Sequence, residues 1–288
     1  MHPVVQHVRW VHRSGAFDLS APVVMGVLNI TPDSFSDGGL HLDPEAAVDR
    51  VAAMVNEGVD LVDIGGESTR PGSRSPDPAV EISRVVPVIR AIRSRWDLPV
   101  SVDTRRAEVA RAALDAGADI VNDVSALGDP EMAGVISRAG AGVVLMHMRG
   151  TPELMQNDPR YIDVAGEVTA ELRERLALAL DAGINRERIA VDPGIGFAKT
   201  FDHNLELIAR LKELSVLGQP MVLGASRKAF LGALIGGAPP EERGVATVAA
   251  CVVGFLNGAG IFRVHDVKMV REALQVAAAI RGAGISAG

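Results

Sequence analysis

The sequence predicts an α/β protein built as a single (β/α)8 barrel of the TIM type, preceded by a short N-terminal hairpin or extension. Three observations carry that prediction. Eight short apolar runs alternate with eight stretches of helical periodicity along 288 residues, the pattern of a parallel sheet covered by helices. No Pro/Gly/Ser-rich linker interrupts the alternation, and the length suits one closed barrel better than an open doubly wound sheet. Each run also ends in polar or charged residues, as expected where strand carboxyl ends gather at one mouth.

Taken in order, residues 1–20 scatter His7, Arg9, His12 and Arg13 among Val and Trp without the apolar core of a signal peptide. They predict a short hairpin or lid ahead of a barrel spanning 21–288. The apolar runs fall at 23–29, 59–64, 98–103, 119–122, 142–147, 189–192, 221–225 and 260–265. Between and after them, residues 44–57, 79–95, 105–116, 130–139, 164–182, 203–214, 242–256 and 267–280 carry apolar spacing of period 3.6 with charged faces. Four helices run into Gly58, Gly117, Gly140 and Gly183, where the left-handed backbone ends a helix. The segments Glu57-Gly58-Val59-Asp60 and Ala116-Gly117-Ala118-Asp119 repeat one helix–turn–strand device, echoed at Asn257-Gly258-Ala259-Gly260.

Composition excludes several classes of function. A net charge of −7, with no Lys/Arg cluster beyond Arg70 to Arg74, argues against a nucleic-acid surface while leaving room for a local anion pocket. Cys251 is the sole cysteine, so no intramolecular disulfide forms, and a reducing, cytoplasmic setting with Cys251 as buried packing is expected. The apolar stretch 245–261 is broken by Thr247, Asn257 and glycines, which predicts a buried helix and no membrane span.

The polar residues at the strand ends set the chemistry. The first run opens into a loop carrying Asn29, Thr31, Asp33, Ser34 and Asp37 with Phe35 as its one large apolar residue, far more hydrogen-bonding capacity than a turn requires. Asp103, Asn122 and Asp192 end three strands. Carboxylates in a barrel mouth suit a ligand edge with adjacent N–H donors, such as the 2-amino-4-oxo edge of guanine or pterin. Asp103 alone is equally well placed to cap the helix after it. Ser226, Arg227 and Lys228 follow one strand, and Arg263 and His265 share a face of the last, a grouping that fits a phosphate or pyrophosphate. Lys228 extending to solvent, His265 or His147 as core histidines and Arg70 as a surface charge are the structural alternatives.

The segments Asn29-Ile30-Thr31-Pro32-Asp33-Ser34-Phe35-Ser36-Asp37-Gly38-Gly39, Asp63-Ile64-Gly65-Gly66-Glu67-Ser68-Thr69-Arg70-Pro71-Gly72, Asp192-Pro193-Gly194-Ile195-Gly196-Phe197-Ala198-Lys199, Ser226-Arg227-Lys228 and Arg263-Val264-His265-Asp266 resemble the signature segments of the dihydropteroate synthases. The likeness runs in family order from about Val23 to Val270. It implies a cytoplasmic transferase of folate biosynthesis that joins 6-hydroxymethyl-7,8-dihydropterin pyrophosphate to p-aminobenzoate, the substrate that sulfonamides mimic. By that resemblance Asp103, Asn122, Asp192 and Lys228 hold the pterin in a slot shaped by Met146, Phe197 and Gly224. Asn29, Arg263 and His265 take the pyrophosphate, Asn29 together with Mg²⁺. Phe35, Thr69, Arg70, Pro71 and Ser226 surround p-aminobenzoate, and Lys228, Arg263, His265 and Asp33 are the catalytic set. It further implies a homodimer through the late helices, without nucleic-acid or membrane partners. The alternatives are a pterin-dependent corrinoid methyltransferase, which has no need of the pyrophosphate group, a lyase using Lys228 as a Schiff base, and a non-catalytic pterin-binding protein.

Overall fold

The computed structural model describes residues 9–30, 44–67, 76–151, 154–157 and 159–285. Strands β1 (Arg9–His12) and β2 (Gly15–Asp18) form an antiparallel hairpin with Trp10 opposite Phe17. The other strands are β3 (Val23–Asn29), β4 (Leu61–Gly65), β5 (Val100–Asp103), β6 (Ile120–Asp123), β7 (Gly142–Met146), β8 (Ile189–Asp192), β9 (Val222–Leu223) and β10 (Ile261–Val264). They pair in parallel in the order β8-β7-β6-β5-β4-β3-β10-β9. A bridge between Val191 and Met221, with the Val191 N–H donating to the Pro220 carbonyl at 2.9 Å, joins the two ends of this sheet into the expected barrel. Its strands are buried on both faces, which is why they read as unbroken apolar runs and do not alternate.

The helices are α1 (Pro44–Asn56), α2 (Pro78–Arg93), α3 (Ala107–Asp115), α4 (Met132–Ala139), α5 (Val164–Asp181), α6 (Phe201–Ala209), α7 (Ala229–Leu234), α8 (Gly244–Leu256) and α9 (Val267–Ile285). Their apolar faces meet the outside of the sheet in one continuous core. Gly58, Gly117, Gly140 and Gly183 all adopt positive φ, as helix stops require. The repeated Gly-x-Asp phrase has a definite use. Asp60 accepts the Val24 N–H at 2.6 Å and Asp119 the Val100 N–H at 2.9 Å, and Arg271 and Arg93 pair with these two carboxylates. Each Asp thereby ties the start of its own strand to that of a neighbour.

Several expectations shift at their edges. The helix expected over 203–214 starts at Phe201, where Thr200 and His203 cap each other's backbone N–H groups, and gives way after Ala209 to a 3₁₀ segment, Leu211–Leu217. Helix α7 was not expected; six residues are too few to show a period. The stretch 245–261 does not form a fully buried helix. Thr247, Ala250, Cys251 and Phe255 of α8 are buried, whereas Val245 is 75% exposed and Val253 and Leu256 also face outward. Cys251 is buried, as packing requires. Among the described residues no helix is long and apolar enough to cross a membrane.

The N-terminal hairpin is a plug and not a lid. Trp10, fully buried, packs inside the barrel against Val23, Met25, Leu61, Ile120, Val144, Ala190, Val222 and Ile261, most of them first or second residues of their strands. Its indole N–H donates to the Arg188 carbonyl at 3.1 Å, and Arg13 donates to the carbonyls of Leu114 and Ala118, both ahead of β6. The hairpin therefore closes the amino-terminal end, opposite the mouth. Replacing Trp10 by Ala removes the largest apolar side chain from that interior and should cost roughly 3–5 kcal/mol. Urea unfolding checks this, and a change below about 1 kcal/mol would show that the plug contributes little.

Candidate active site

At the carboxyl ends of the strands a small cleft is lined by Asp103, Asn122, Val124, Met146, Asp192, Ile195, Phe197, Gly224, Lys228 and Arg263. All seven residues expected in a pterin slot, Asp103, Asn122, Met146, Asp192, Phe197, Gly224 and Lys228, lie on this one surface, together with Arg263. Asp103 and Asn122 are register partners on β5 and β6, so their side chains leave neighbouring strands side by side. Asp103 does not cap the following helix. It accepts from Nη2 of Arg263 at 2.6 Å, and the Ala107 N–H at the start of α3 goes to Asp129 instead.

Arg263 reaches across the floor to two carboxylates. Its Nε donates to Oδ2 of Asp63 at 2.6 Å, and the same oxygen accepts from Nδ2 of Asn122 at 3.0 Å. Arg263 is thus bound into the slot by an ion-pair network and does not stand as a free cation beside His265. Arg227, next to Lys228, is likewise occupied: it pairs with Asp266 at 2.5 Å and adopts φ +58. Among the described residues Lys228 has no carboxylate within ion-pair distance; its ammonium lies 4.0 Å from the Phe197 ring centroid, a cation–π contact inside the cleft. It does not extend to solvent.

Burial sets the protonation of these groups. Asp103 is pushed up to about 7 by burial, against the pull of Arg263 and with the nearby Asp63 charge adding to the rise. Burial also raises Asp192, opposed by the Gly194 N–H, which donates to Asp192 Oδ1 at 2.7 Å. Lys228 is lowered to about 8, first by burial and then by Arg263. Gly194 is required where it stands: φ is +71, and a Cβ there would lie 1.9 Å from the His147 carbonyl oxygen. That contact seats the loop carrying Phe197 on the end of β7.

His265 sits at the rim. Its backbone N–H donates to Ser226 Oγ at 3.1 Å, and the Ser226 hydroxyl lies 2.9 Å from its Nδ1. Burial lowers the imidazole to about 3, with Arg263 and Arg227 adding to the effect. In the neutral ring Nδ1 accepts from Ser226, and Nε2–H is left as a donor. Asn29 ends β3 in register with Gly65, on the same rim. His147 lies outside the cleft: its ring bridges Glu171 (2.9 Å) and the buried amine of Lys199 (3.1 Å). Lys199 also donates to the Phe197 carbonyl at 2.9 Å and is lowered by burial to about 7. The expected site residues Asp33, Phe35, Thr69, Arg70 and Pro71 lie outside the described residues.

Sequence reasoning placed Asp63 among the polar strand ends without giving it a role, and assigned none to Lys199 or Asp123. Asp123 is fully buried and accepts the N–H groups of Ser125 and Leu127, setting the turn beside the slot in which Ala126 and Leu127 take positive φ. For Asp63 the signals were its strand-end position and its place in the Asp63–Gly72 segment; for Lys199 the Asp192–Lys199 segment alone.

Comparison with known proteins agrees with this geometry. Residues 25–265 match the family described as pterin binding enzyme. The chain is 49% identical over 272 residues to a dihydropteroate synthase of Mycobacterium leprae, covering 92% of this chain and 95% of the relative. The fold superposes on Xanthomonas albilineans dihydropteroate synthase with 4-aminobenzoic acid with a TM-score of 0.90 at 43% identity, covering 96% and 99% of the two chains. A complex of dihydropteroate synthase from the same organism with 7,8-dihydropteroate gives 0.84 at 42% identity, covering 92% and 96%.

The rim predicts a pH response. With His265 lowered to about 3 and His147 to about 4, both rings bind protons more weakly in the fold than when unfolded near 6.5. They stay neutral through pH 5, and stability is lost as pH falls from about 6.5 toward 4 for His147 and toward 3 for His265. Histidine NMR titration should show no midpoint for either ring between pH 5 and 8; a midpoint near 6.5 would contradict the hydrogen-bonding assigned here.

Proposed function

The chain belongs to the pterin-binding enzymes, and within them to the dihydropteroate synthases, and we propose that its cleft carries out their condensation. 6-Hydroxymethyl-7,8-dihydropterin pyrophosphate and p-aminobenzoate give 7,8-dihydropteroate and pyrophosphate. The observation that carries this reading is the convergence of Asp103, Asn122, Asp192 and Lys228 on one cleft walled by Phe197, with Arg263 at its floor.

A pterin edge offers an amino group and a ring N–H beside acceptor atoms. Asp192, its Oδ1 tied to Gly194, keeps Oδ2 on the side of Gly224, where a Cβ would stand 3.6 Å away, so the missing side chain leaves a carboxylate oxygen open to a flat ring. Asp103 and the carbonyl oxygen of Asn122, whose Nδ2 is engaged by Asp63, supply further acceptors, and Lys228 donates to ring acceptors. A dihydropterin so held is electron-rich enough to delocalise positive charge on its exocyclic methylene. The C–O bond to pyrophosphate breaks, its electron pair leaving on the diphosphate, and the amine of p-aminobenzoate forms the new C–N bond and then loses a proton. An aniline nitrogen is nucleophilic in its neutral form, so its addition needs no general base.

The anion side is lighter in charge than the sequence suggested, because Arg263 already serves two carboxylates. It retains Nη1 for the diphosphate, and neutral His265 offers Nε2–H. Among the described residues no cluster of three or more His, Cys, Asp or Glu could hold a metal ion by itself. Asn29 presents a single amide oxygen at this rim. That fits Mg²⁺, which favours few protein ligands together with phosphate oxygens. When bound there, the ion would neutralise charge on the departing diphosphate. Ser226 is bonded to His265, and its role toward p-aminobenzoate, like the roles of Phe35, Thr69, Arg70, Pro71 and Asp33, rests on the resemblance.

The outward apolar residues of α8 and α9, Val245, Val253, Leu256, Met269, Val276 and Ile280, support self-association into a homodimer. Light scattering should then return twice the 30.2 kDa chain mass, and a monomer at micromolar concentration would contradict it. The pterin assignment is tested at Asp192. Asp192→Asn leaves a ring donor facing an amide and should weaken pterin binding by roughly 1–3 kcal/mol in calorimetry, with p-aminobenzoate KM changed less. Unchanged pterin affinity would remove Asp192 from the slot.

A further inference from the structure

Asp63 is fully buried on β4 and lines no part of the cleft, yet it touches two residues that do. Gly65, two residues further along β4, is the register partner of Asp103, so Asp63 stands about 7 Å back along its strand from the level of Asp103. One of its oxygens, Oδ2, accepts both Arg263 Nε and Asn122 Nδ2. The other, Oδ1, is buried with no partner among the described residues. A buried carboxylate is an expensive feature unless a counter-charge is fixed against it. Here the counter-charge is Arg263, held on a second edge by Asp103.

We propose that Asp63 is a positioning residue for the condensation, fixing the guanidinium plane of Arg263 and the amide orientation of Asn122 so that the pterin edge and the diphosphate end are held as one rigid piece. The inference rests on the reading that Asn122 meets the pterin and Arg263 the diphosphate. A carboxylate only accepts, so Asn122 must turn its NH₂ downward, and its carbonyl oxygen then points away from Asp63. The two ends of an amide are nearly equal in size, and without such a partner the group would present donor or acceptor to the ring with little preference. Arg263 is planar and rigid, so anchoring Nε on Asp63 and Nη2 on Asp103 leaves Nη1 aimed at one place. Positioning of this kind acts on the substrate that touches both residues and spares the one that touches neither.

The experiment is steady-state kinetics of Asp63→Asn, Arg263→Lys, Asn122→Ala and the Asp63→Asn/Arg263→Lys double variant, each accompanied by its melting temperature. Asp63→Asn should raise KM for dihydropterin pyrophosphate at least roughly tenfold and leave KM for p-aminobenzoate within about twofold. The double variant should fall well short of the product of the two single effects, because Asp63 acts in part through Arg263, the remainder being its hold on Asn122. Unchanged kinetics in Asp63→Asn, equal rises in both KM values, or fully additive effects would overturn the proposal. If Arg263→Lys and Asn122→Ala also leave pterin kinetics unchanged, the reading of the site fails first; if they impair it and Asp63→Asn does not, only the positioning role fails. Should Asp63→Asn not fold, hydrogen exchange in the unaltered protein decides the question. Arg263 Nε–H must be protected in the free enzyme, and rapid exchange would overturn the assignment.

Discussion

The guanidinium of Arg263 lies between Asp63 on β4 and Asp103 on β5, and the mouth of the barrel is arranged around that contact. β10, which carries Arg263, pairs with β3, and β3 pairs with β4, so the ion pairs cross the strand ends only because the sheet curves back on itself. Two carboxylates share one cation inside a low-dielectric floor, and burial raises the proton affinity of Asp103 as a consequence. Asn122 is drawn into the same network through Asp63. The slot is therefore a charged lattice with its counter-ions already in place. Its groups need little reorganisation when a ligand enters.

Around that lattice the fold separates support from chemistry. Trp10 and the apolar strand starts fill the amino-terminal end of the barrel, where the Asp60 and Asp119 ties fix strand to strand. At the carboxyl end Val124, Met146, Met155, Phe197 and Ala198 make a small separate apolar cluster that walls the cleft. The Phe197 loop is held from behind by Lys199, whose amine is bonded to His147 and to the Phe197 carbonyl. A histidine and a lysine that could be taken for catalysts thus serve the wall. The positive φ of Ala198 and Arg227 on either side of the slot is the kind of backbone strain that persists where surroundings over-determine it.

Much of this was legible in the sequence because a barrel turns strand order into spatial order. Asp103, Asn122, Asp192, Lys228 and Arg263 each stand at or just past the end of an apolar run, and parallel pairing alone brings them together. What was hidden depends on side-chain direction across long separations. Asp63 reads as one more polar residue at a strand end, and its use appears only when Arg263, 200 positions away, meets it. The same contact removed Arg263 from the free cations that the sequence placed near His265. The N-terminal residues carried the signal of a hairpin but no information about which end of the barrel it covers. Helix α7 was too short to show a period, and Thr200 started α6 earlier than apolar spacing suggested.

The central claim is that this cleft joins a pterin to an arylamine by displacing pyrophosphate. The most direct measurement is pyrophosphate release from dihydropterin pyrophosphate with Mg²⁺, run with and without p-aminobenzoate, with the organic product identified by mass. The account predicts release that depends on p-aminobenzoate and a product with the mass of 7,8-dihydropteroate. Tight pterin binding without release, or release indifferent to p-aminobenzoate, would contradict it.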